Sequence, residues 1–142
     1  THDKDKAVLS RMTVTSLIET NFSCVNSDAT LGDLVSIISK SSRNIFPVLE
    51  DDGTFLGIVF VNDIRHIIFK PELYDTTYVR DLMFMPEPSV DPDESMENVA
   101  EKFQISGNFN LPVLKDGKYL GFVSRAKVFS SYRRLLKRFS ED

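Results

Sequence analysis

The chain has 142 residues, a net charge of −4, 42% apolar and 27% charged residues, and a single cysteine. This much apolar surface excludes a mainly disordered chain. The one cysteine excludes an internal disulfide, and the Cys/His content excludes a structural zinc site. The longest apolar run, Leu56 to Val61, is far short of the ~20 residues that cross a bilayer. A charged start excludes a secretory signal, and the missing initiator Met reads as an excised piece of a longer protein. An acidic balance also argues against a nucleic-acid partner. Charge is nonetheless segregated. From Arg125 onward there are six basic residues (Arg125, Lys127, Arg133, Arg134, Lys137, Arg138) against two acids, giving +4 there and −8 elsewhere.

Laid on itself at an offset of 65, the chain aligns Val14-x-x-Leu17 with Val79-x-x-Leu82, Val25 with Val90, and Phe46-Pro47-Val48-Leu49 with Leu111-Pro112-Val113-Leu114. After a one-residue deletion, Asp52-Gly53 meets Asp116-Gly117 and Leu56-Gly57-Ile58-Val59 meets Leu120-Gly121-Phe122-Val123. About thirteen of about fifty aligned positions are identical, where average composition gives roughly three. The chain is an internal duplication.

In chain order, each copy opens on a short apolar strand at Val25 or Val90. A helix start follows, with Thr30-x-x-Asp33 and Ser95-x-x-Asn98 supplying a capping hydroxyl. Leu31, Leu34, Val35 and Ile38, then Met96, Val99, Ala100 and Phe103, recur at helical spacing. Two strands joined by Asp-Gly come next: Ile45 to Leu49 with Phe55 to Val61, and Leu111 to Leu114 with Tyr119 to Ser124. Helices Asn62 to Phe69 and Ala126 to Phe139 close the copies. The expectation is an α/β (α+β) chain of two β-α-β-β-α repeats packed face to face about a pseudo-two-fold axis. Its segments are a linker over 1–11, repeat one over 12–70, a linker over 71–78, repeat two over 79–132 and a basic helix end over 133–142. Val128, Phe129, Tyr132, Leu135, Leu136 and Phe139 form one apolar stripe on the last helix.

This doubled grammar, with Phe-Pro-Val-Leu, Asp-Gly and Leu-Gly-Ile-Val-x-x-x-Asp-Ile, resembles the CBS domain, two of which in tandem form a Bateman module. Arg80-Asp81-Leu82-Met83 resembles the head of such a domain. Ser42-Arg43-Asn44-Ile45-Phe46-Pro47-Val48, Lys70-Pro71-Glu72-Leu73-Tyr74 and Ser131-Tyr132-Arg133 look like the CBS pair of bacterial ClC-type chloride channels and transporters. The resemblance implies a cytoplasmic regulatory module at the inner membrane, attached to an N-terminal transmembrane transporter domain. Other transporters and soluble enzymes also carry such pairs. It implies a homodimer too, which apolar helix residues Ile64, Ile67 and Ile68 would support.

Nucleotide-binding CBS pairs carry Gly-h-x-(Ser/Thr)-x-x-Asp, in which the carboxylate holds ribose hydroxyls and the hydroxyl and helix N-terminus face phosphate. Copy one reads Gly57-Ile58-Val59-Phe60-Val61-Asn62-Asp63 and keeps only the carboxylate. Copy two reads Gly121-Phe122-Val123-Ser124-Arg125-Ala126-Lys127 and keeps only the hydroxyl, with Pro112 on its preceding strand. Asp63 with an apolar wall of Ile45, Phe46, Pro47 and Ile58 is the stronger candidate. Ser124, Arg125 and Lys127 face phosphate in the other. Asp63 and Ser124 are equally good helix caps. The resemblance implies ATP, ADP or AMP as the ligand and no required cofactor, and a ligand-free dimerisation platform is the alternative. Glu50-Asp51-Asp52 reads as a solvated turn rather than a metal site. Cys24 and His66, the nearest approach to a nucleophile and base, have no third group to orient them, so no enzyme is expected.

Overall fold

The computed structural model describes residues 2–141. Thr1 and Asp142, the outermost residues of the expected linker and basic helix end, lie outside the described residues. The elements are α1 (His2–Leu9), β1 (Val25–Asn26), α2 (Leu31–Ser39), β2 (Ile45–Leu49), β3 (Phe55–Phe60), α3 (Val61–Ile68), α4 (Met96–Ser106), β4 (Asn110–Lys115), β5 (Lys118–Ser124) and α5 (Arg125–Glu141). Two 3-10 turns follow α3: Pro71–Leu73 in the stretch between the copies and Val79–Asp81 at the head of the second.

Local chemistry sets most element ends. Thr30 Oγ1 accepts from the Asp33 N–H at 3.1 Å while Asp33 accepts from the Thr30 N–H at 3.0 Å, a closed capping box on α2. Ser95 caps α4 through the Asn98 N–H at 3.2 Å. In the second hairpin Asp116 and Gly117 both have positive φ (51° and 78°), which matches the twist of the flanking strands.

Copy one has the expected order: β1 pairs parallel with β2, and β2 pairs antiparallel with β3. Copy two differs. Its first strand shrinks to one parallel bridge, Val90 with Val113, beside the β4–β5 pair. Pro88 and Pro92 flank Val90 and supply no N–H to extend a ladder.

The chain divides into two compact units whose membership crosses the repeats. The first unit takes residues up to Thr20, Glu87–Asp116, and everything from Leu120. Its core holds Met12, Val14 and Leu17 together with Val99, Phe103, Leu111, Val113, Val123 and Val128. The second unit takes Asn21–Pro86 and Gly117–Tyr119. Its core holds Val79 together with Leu31, Leu34, Phe46, Val48, Val59 and Ile64. Each core is therefore closed by a lead-in segment that the sequence attaches to the other copy. The backbone shows the same exchange. Glu19 and Phe122 trade two hydrogen bonds (2.7 and 2.9 Å), as do Phe84 and Ile58 (3.0 and 2.8 Å).

Three expectations are corrected here. Residues 2–9 of the expected linker form helix α1, which packs on α5, with Val8 fully buried. Asp5 accepts from the Tyr132 hydroxyl, Lys4 Nζ donates to Ser140 Oγ at 2.8 Å, and the Arg11 guanidinium lies 4.7 Å from the Phe139 ring. The stripe on α5 packs as expected through Val128, Tyr132 and Leu135, but Phe129 at its margin is 55% exposed. Ile64 and Ile68 are buried in the second unit's core and Ile67 packs against it, so these side chains are not a free face for a second copy.

Two measurements follow from this packing. A Cβ on Gly121 would sit 2.5 Å from the Glu19 carbonyl oxygen and 2.6 Å from Ile18 Cγ2. Gly121→Ala is expected to cost about 2 kcal/mol, as backbone displacement does, and to lower the melting temperature by several degrees. Asp52 accepts from Lys118 Nζ at 2.8 Å and from the Thr54 N–H at 3.0 Å, which holds its carboxyl well below the usual carboxylate range. A lowered folded-state value contributes stability above about pH 4 and loses it on acidification. Melts of Asp52→Asn between pH 5 and pH 2 are expected to fall less steeply than those of the parent chain.

Candidate functional site

In the second unit, β2 and β3 are buried on both faces. Alternation divides their side chains. Phe46, Val48 and Val59 enter the helix-covered core, while Ile45 and Ile58 are buried outside it. The register pairs Ile45 with Phe60 and Pro47 with Ile58, so these four share the face away from the helices. Phe46, expected in the adenine wall beside Ile45, is wholly inside the core and points the other way. Neighbours on a strand cannot both line one pocket.

Phe84 bridges antiparallel to Ile58, which places its ring on the same face, 5.7 Å from the Phe60 ring. Gly57 permits this approach, since a Cβ there would lie 2.6 Å from the Phe84 carbonyl oxygen. The chain then turns into α3 at Phe60, which offers the helix no side-chain cap. Asp63 stands exposed in the first turn. It caps nothing, and no hydrogen bond or ion pair engages its carboxylate among the described residues. Asn62 beside it accepts from Arg65 Nε at 3.0 Å. The end of β3 thus carries an apolar face and a pair of aromatic rings, and the unengaged carboxylate follows three residues on from Phe60, in the first turn of α3.

The first unit builds the equivalent place from copy two. Leu111 and Val113 enter its core, which turns Pro112 to the opposite face of β4. Glu19, the 65-offset counterpart of Phe84, bridges antiparallel to Phe122 and lies on the Ser124 side of β5. Ser124 Oγ accepts from the Lys127 N–H at 3.1 Å and so caps α5. Its hydroxyl hydrogen remains available to donate. The Lys127 side chain is exposed in the first turn. Arg125, expected toward phosphate, folds back instead: its Nη2 donates to the Phe103 carbonyl at 2.5 Å, and its guanidinium lies 5.5 Å from the Phe109 ring.

From the sequence, Met83-Phe84-Met85-Pro86 reads either as a soft adenine wall or as ordinary packing, whereas Glu19 carries no signal of its own, although the repeat offset that exposed the duplication aligns it with Phe84. Both residues reach their strands from the lead-in segments, outside the Gly-to-Asp motif. Cys24 has its thiol pushed up by desolvation, and it makes a long contact of 3.9 Å to the Phe22 carbonyl. No hydrogen bond joins it to His66 among the described residues. Asp51 accepts from Asn26 Nδ2 at 2.7 Å and Asp52 from Lys118, so two of the three turn acids are already engaged.

A family model described as CBS domain matches residues 14–70 and 79–134. No curated protein sequence matches the chain. Among solved structures, it is similar to the CBS domain of a CBS domain containing membrane protein from Sphaerobacter thermophilus, with TM-score 0.72, 18% identity, and coverage of 91% of this chain and 92% of that one. It is also similar to CBSX2 in complex with AMP, with TM-score 0.70, 22% identity and coverage of 87% and 97%. The CBS domain of the bacterial CNNM/CorC family Mg2+ transporter in complex with ATP gives TM-score 0.75, 14% identity and coverage of 93% and 96%. Identities this low carry the fold alone.

The unequal work of the two motif residues is measurable in the unliganded protein. Ser124→Ala removes a cap and is expected to cost about 1 kcal/mol, seen as a melting temperature lower by a few degrees. Asp63→Ala removes an exposed, unengaged carboxylate and is expected to leave the melting temperature within a degree of the parent.

Proposed function

The chain belongs to the CBS domain family, as a tandem pair, and on that premise we propose that it is the ligand-binding regulatory module of a membrane ion transporter, with an adenosine nucleotide held at the end of β3. The observation that carries this reading is Asp63, an exposed and unengaged carboxylate on the first turn of an uncapped helix. It follows directly on the face of Ile45, Pro47, Ile58 and Phe60. A carboxylate accepts two vicinal ribose hydroxyls, and an apolar wall suits a purine ring. The solved relatives bound to AMP and to ATP support the class of ligand.

Phe60 stands where a hydroxyl would donate to phosphate, so one charge-assisted bond is missing, worth about 1.5–3 kcal/mol. The resulting affinity is on the order of tens of micromolar or weaker. Ser124, with Lys127 and Pro112, offers the complementary half-site, able to meet phosphate but lacking a carboxylate at position 127. The proposed host is a ClC-type chloride channel or transporter, with the module on the cytoplasmic side of the inner membrane. This rests on the segments Ser42–Val48, Lys70–Tyr74 and Ser131–Arg133, and two of the solved relatives are CBS domains of membrane proteins.

A dimerisation platform without ligand is the second reading. It is favoured by a groove of about 400 Å³ between α2 and α3, lined by the partly buried Val35, Ile38 and Val61 and ending at Phe69, which is 86% exposed. Calorimetry with AMP, ADP and ATP separates the two readings. The parent chain is expected to bind at least one of them, and Asp63→Ala to weaken it roughly ten- to hundred-fold. An unchanged affinity in Asp63→Ala removes the assignment of Asp63. No binding at millimolar nucleotide, together with a stable dimer in sedimentation, makes the module a platform.

A further inference from the structure

The sixteen residues 125–140 hold six cations and no acid, in a chain with 21 acids. On α5, at about 100° per residue, the side chains separate into two faces. Val128, Tyr132 and Leu135 turn to the first unit's core, and α1 packs alongside. Arg133, Arg134, Lys137 and Arg138 fall on the opposite side within about 140° of arc. All four are exposed. None has a carboxylate within ion-pair distance among the described residues, whereas Asp5 on α1 is taken by the Tyr132 hydroxyl on the other side. At the margin of the cationic face Phe129 is 55% exposed, with the Arg133 guanidinium 4.9 Å from its ring centre.

From this the geometry points to a docking surface: the outer face of α5, through Arg133, Arg134, Lys137 and Arg138 with Phe129 at its edge, lies on the anionic headgroups of a lipid bilayer. A rigid helix presents its cations as a row, which suits a plane of phosphates. An aromatic ring beside guanidinium groups suits the headgroup layer, where its apolar body is half immersed and the cations stay with phosphate. The −8 carried by the rest of the chain is repelled by the same surface, so charge both attracts this face and orients the molecule. The inference rests on the reading of the chain as part of a membrane transporter, which holds it near a bilayer. The attraction alone is modest, as four cations without a lipid anchor give reversible binding.

The test is co-sedimentation of the isolated chain with vesicles of mixed phosphatidylglycerol and phosphatidylcholine, against phosphatidylcholine alone. Each cation near an anionic surface is worth roughly fivefold in partitioning. Replacing all four (R133Q/R134Q/K137Q/R138Q) is therefore expected to weaken anionic-vesicle binding on the order of a hundredfold or more. The melting temperature should not move, because these side chains stand in water. The charge-preserving variant R133K/R134K/R138K is expected to bind as the parent does. Raising salt to about 0.5 M should release the parent, and soluble glycerophosphate at equal phosphate concentration should not. Equal binding to neutral vesicles, no binding at millimolar anionic lipid, unimpaired binding by the four-glutamine variant, or tighter capture by polyglutamate than by the vesicles would each overturn the proposal. Nucleotide calorimetry on the same four-glutamine variant should match the parent, so failure of the docking and failure of the regulatory reading appear in different instruments.

Discussion

Two carbonyl oxygens approach two glycines so closely that no side chain fits between them. The Phe84 oxygen lies 2.6 Å from where a Cβ on Gly57 would stand, and the Glu19 oxygen 2.5 Å from the one on Gly121. Much else follows from these contacts. They let the lead-in strands bond to Ile58 and Phe122, which sets the Phe84 ring beside Phe60 and Glu19 on the side of Ser124. They also hold Val79 in one core and Val14 and Leu17 in the other. The candidate site is thus a by-product of closing each core. The strand that seals the apolar interior is the one that furnishes the rim of the face on its far side.

The duplicated motifs have diverged in a complementary manner. Copy one retains a carboxylate and has aromatic rings where a hydroxyl would stand. Copy two retains the hydroxyl, which caps its helix, and carries an ammonium where the carboxylate would stand. Such a pair is asymmetric in the chemistry it offers: one place suits sugar hydroxyls, the other an anion. The fold tolerates this because neither Asp63 nor Lys127 contributes a bond that the helices need, whereas Ser124 does. Stability therefore depends on Ser124 and not on Asp63.

How much of this was legible in the sequence depends on how local each signal is. The caps at Thr30 and Ser95, the Asp-Gly hairpins and the apolar face of α5 all act within a few residues, and all were readable. Three things were not. Helix α1 has only Ala7, Val8 and Leu9 as apolar residues; it is helical because α5 gives Val8 a place to bury, a long-range cause with no local pattern. Phe46 was grouped with Ile45 because a motif names neighbours together, while strand alternation sends them apart. Ile64, Ile67 and Ile68 look like a spare face until the core that covers them is seen. The motif residues are local in sequence, but the segments that complete their surroundings are not: Phe84 comes about 20 residues after Asp63 and Glu19 about 100 before Ser124.

The crossing of the two lead-in segments also bears on how such a molecule can arise and be taken apart. A polypeptide ending after repeat one, near Lys70, would lack Val79, Phe84 and the Gly117–Tyr119 turn that belong to its compact unit. One starting at repeat two would lack Met12, Val14 and Leu17. The heritable unit and the folding unit are therefore different lengths of the same chain. A ribosome that has finished the first repeat has not yet finished either core.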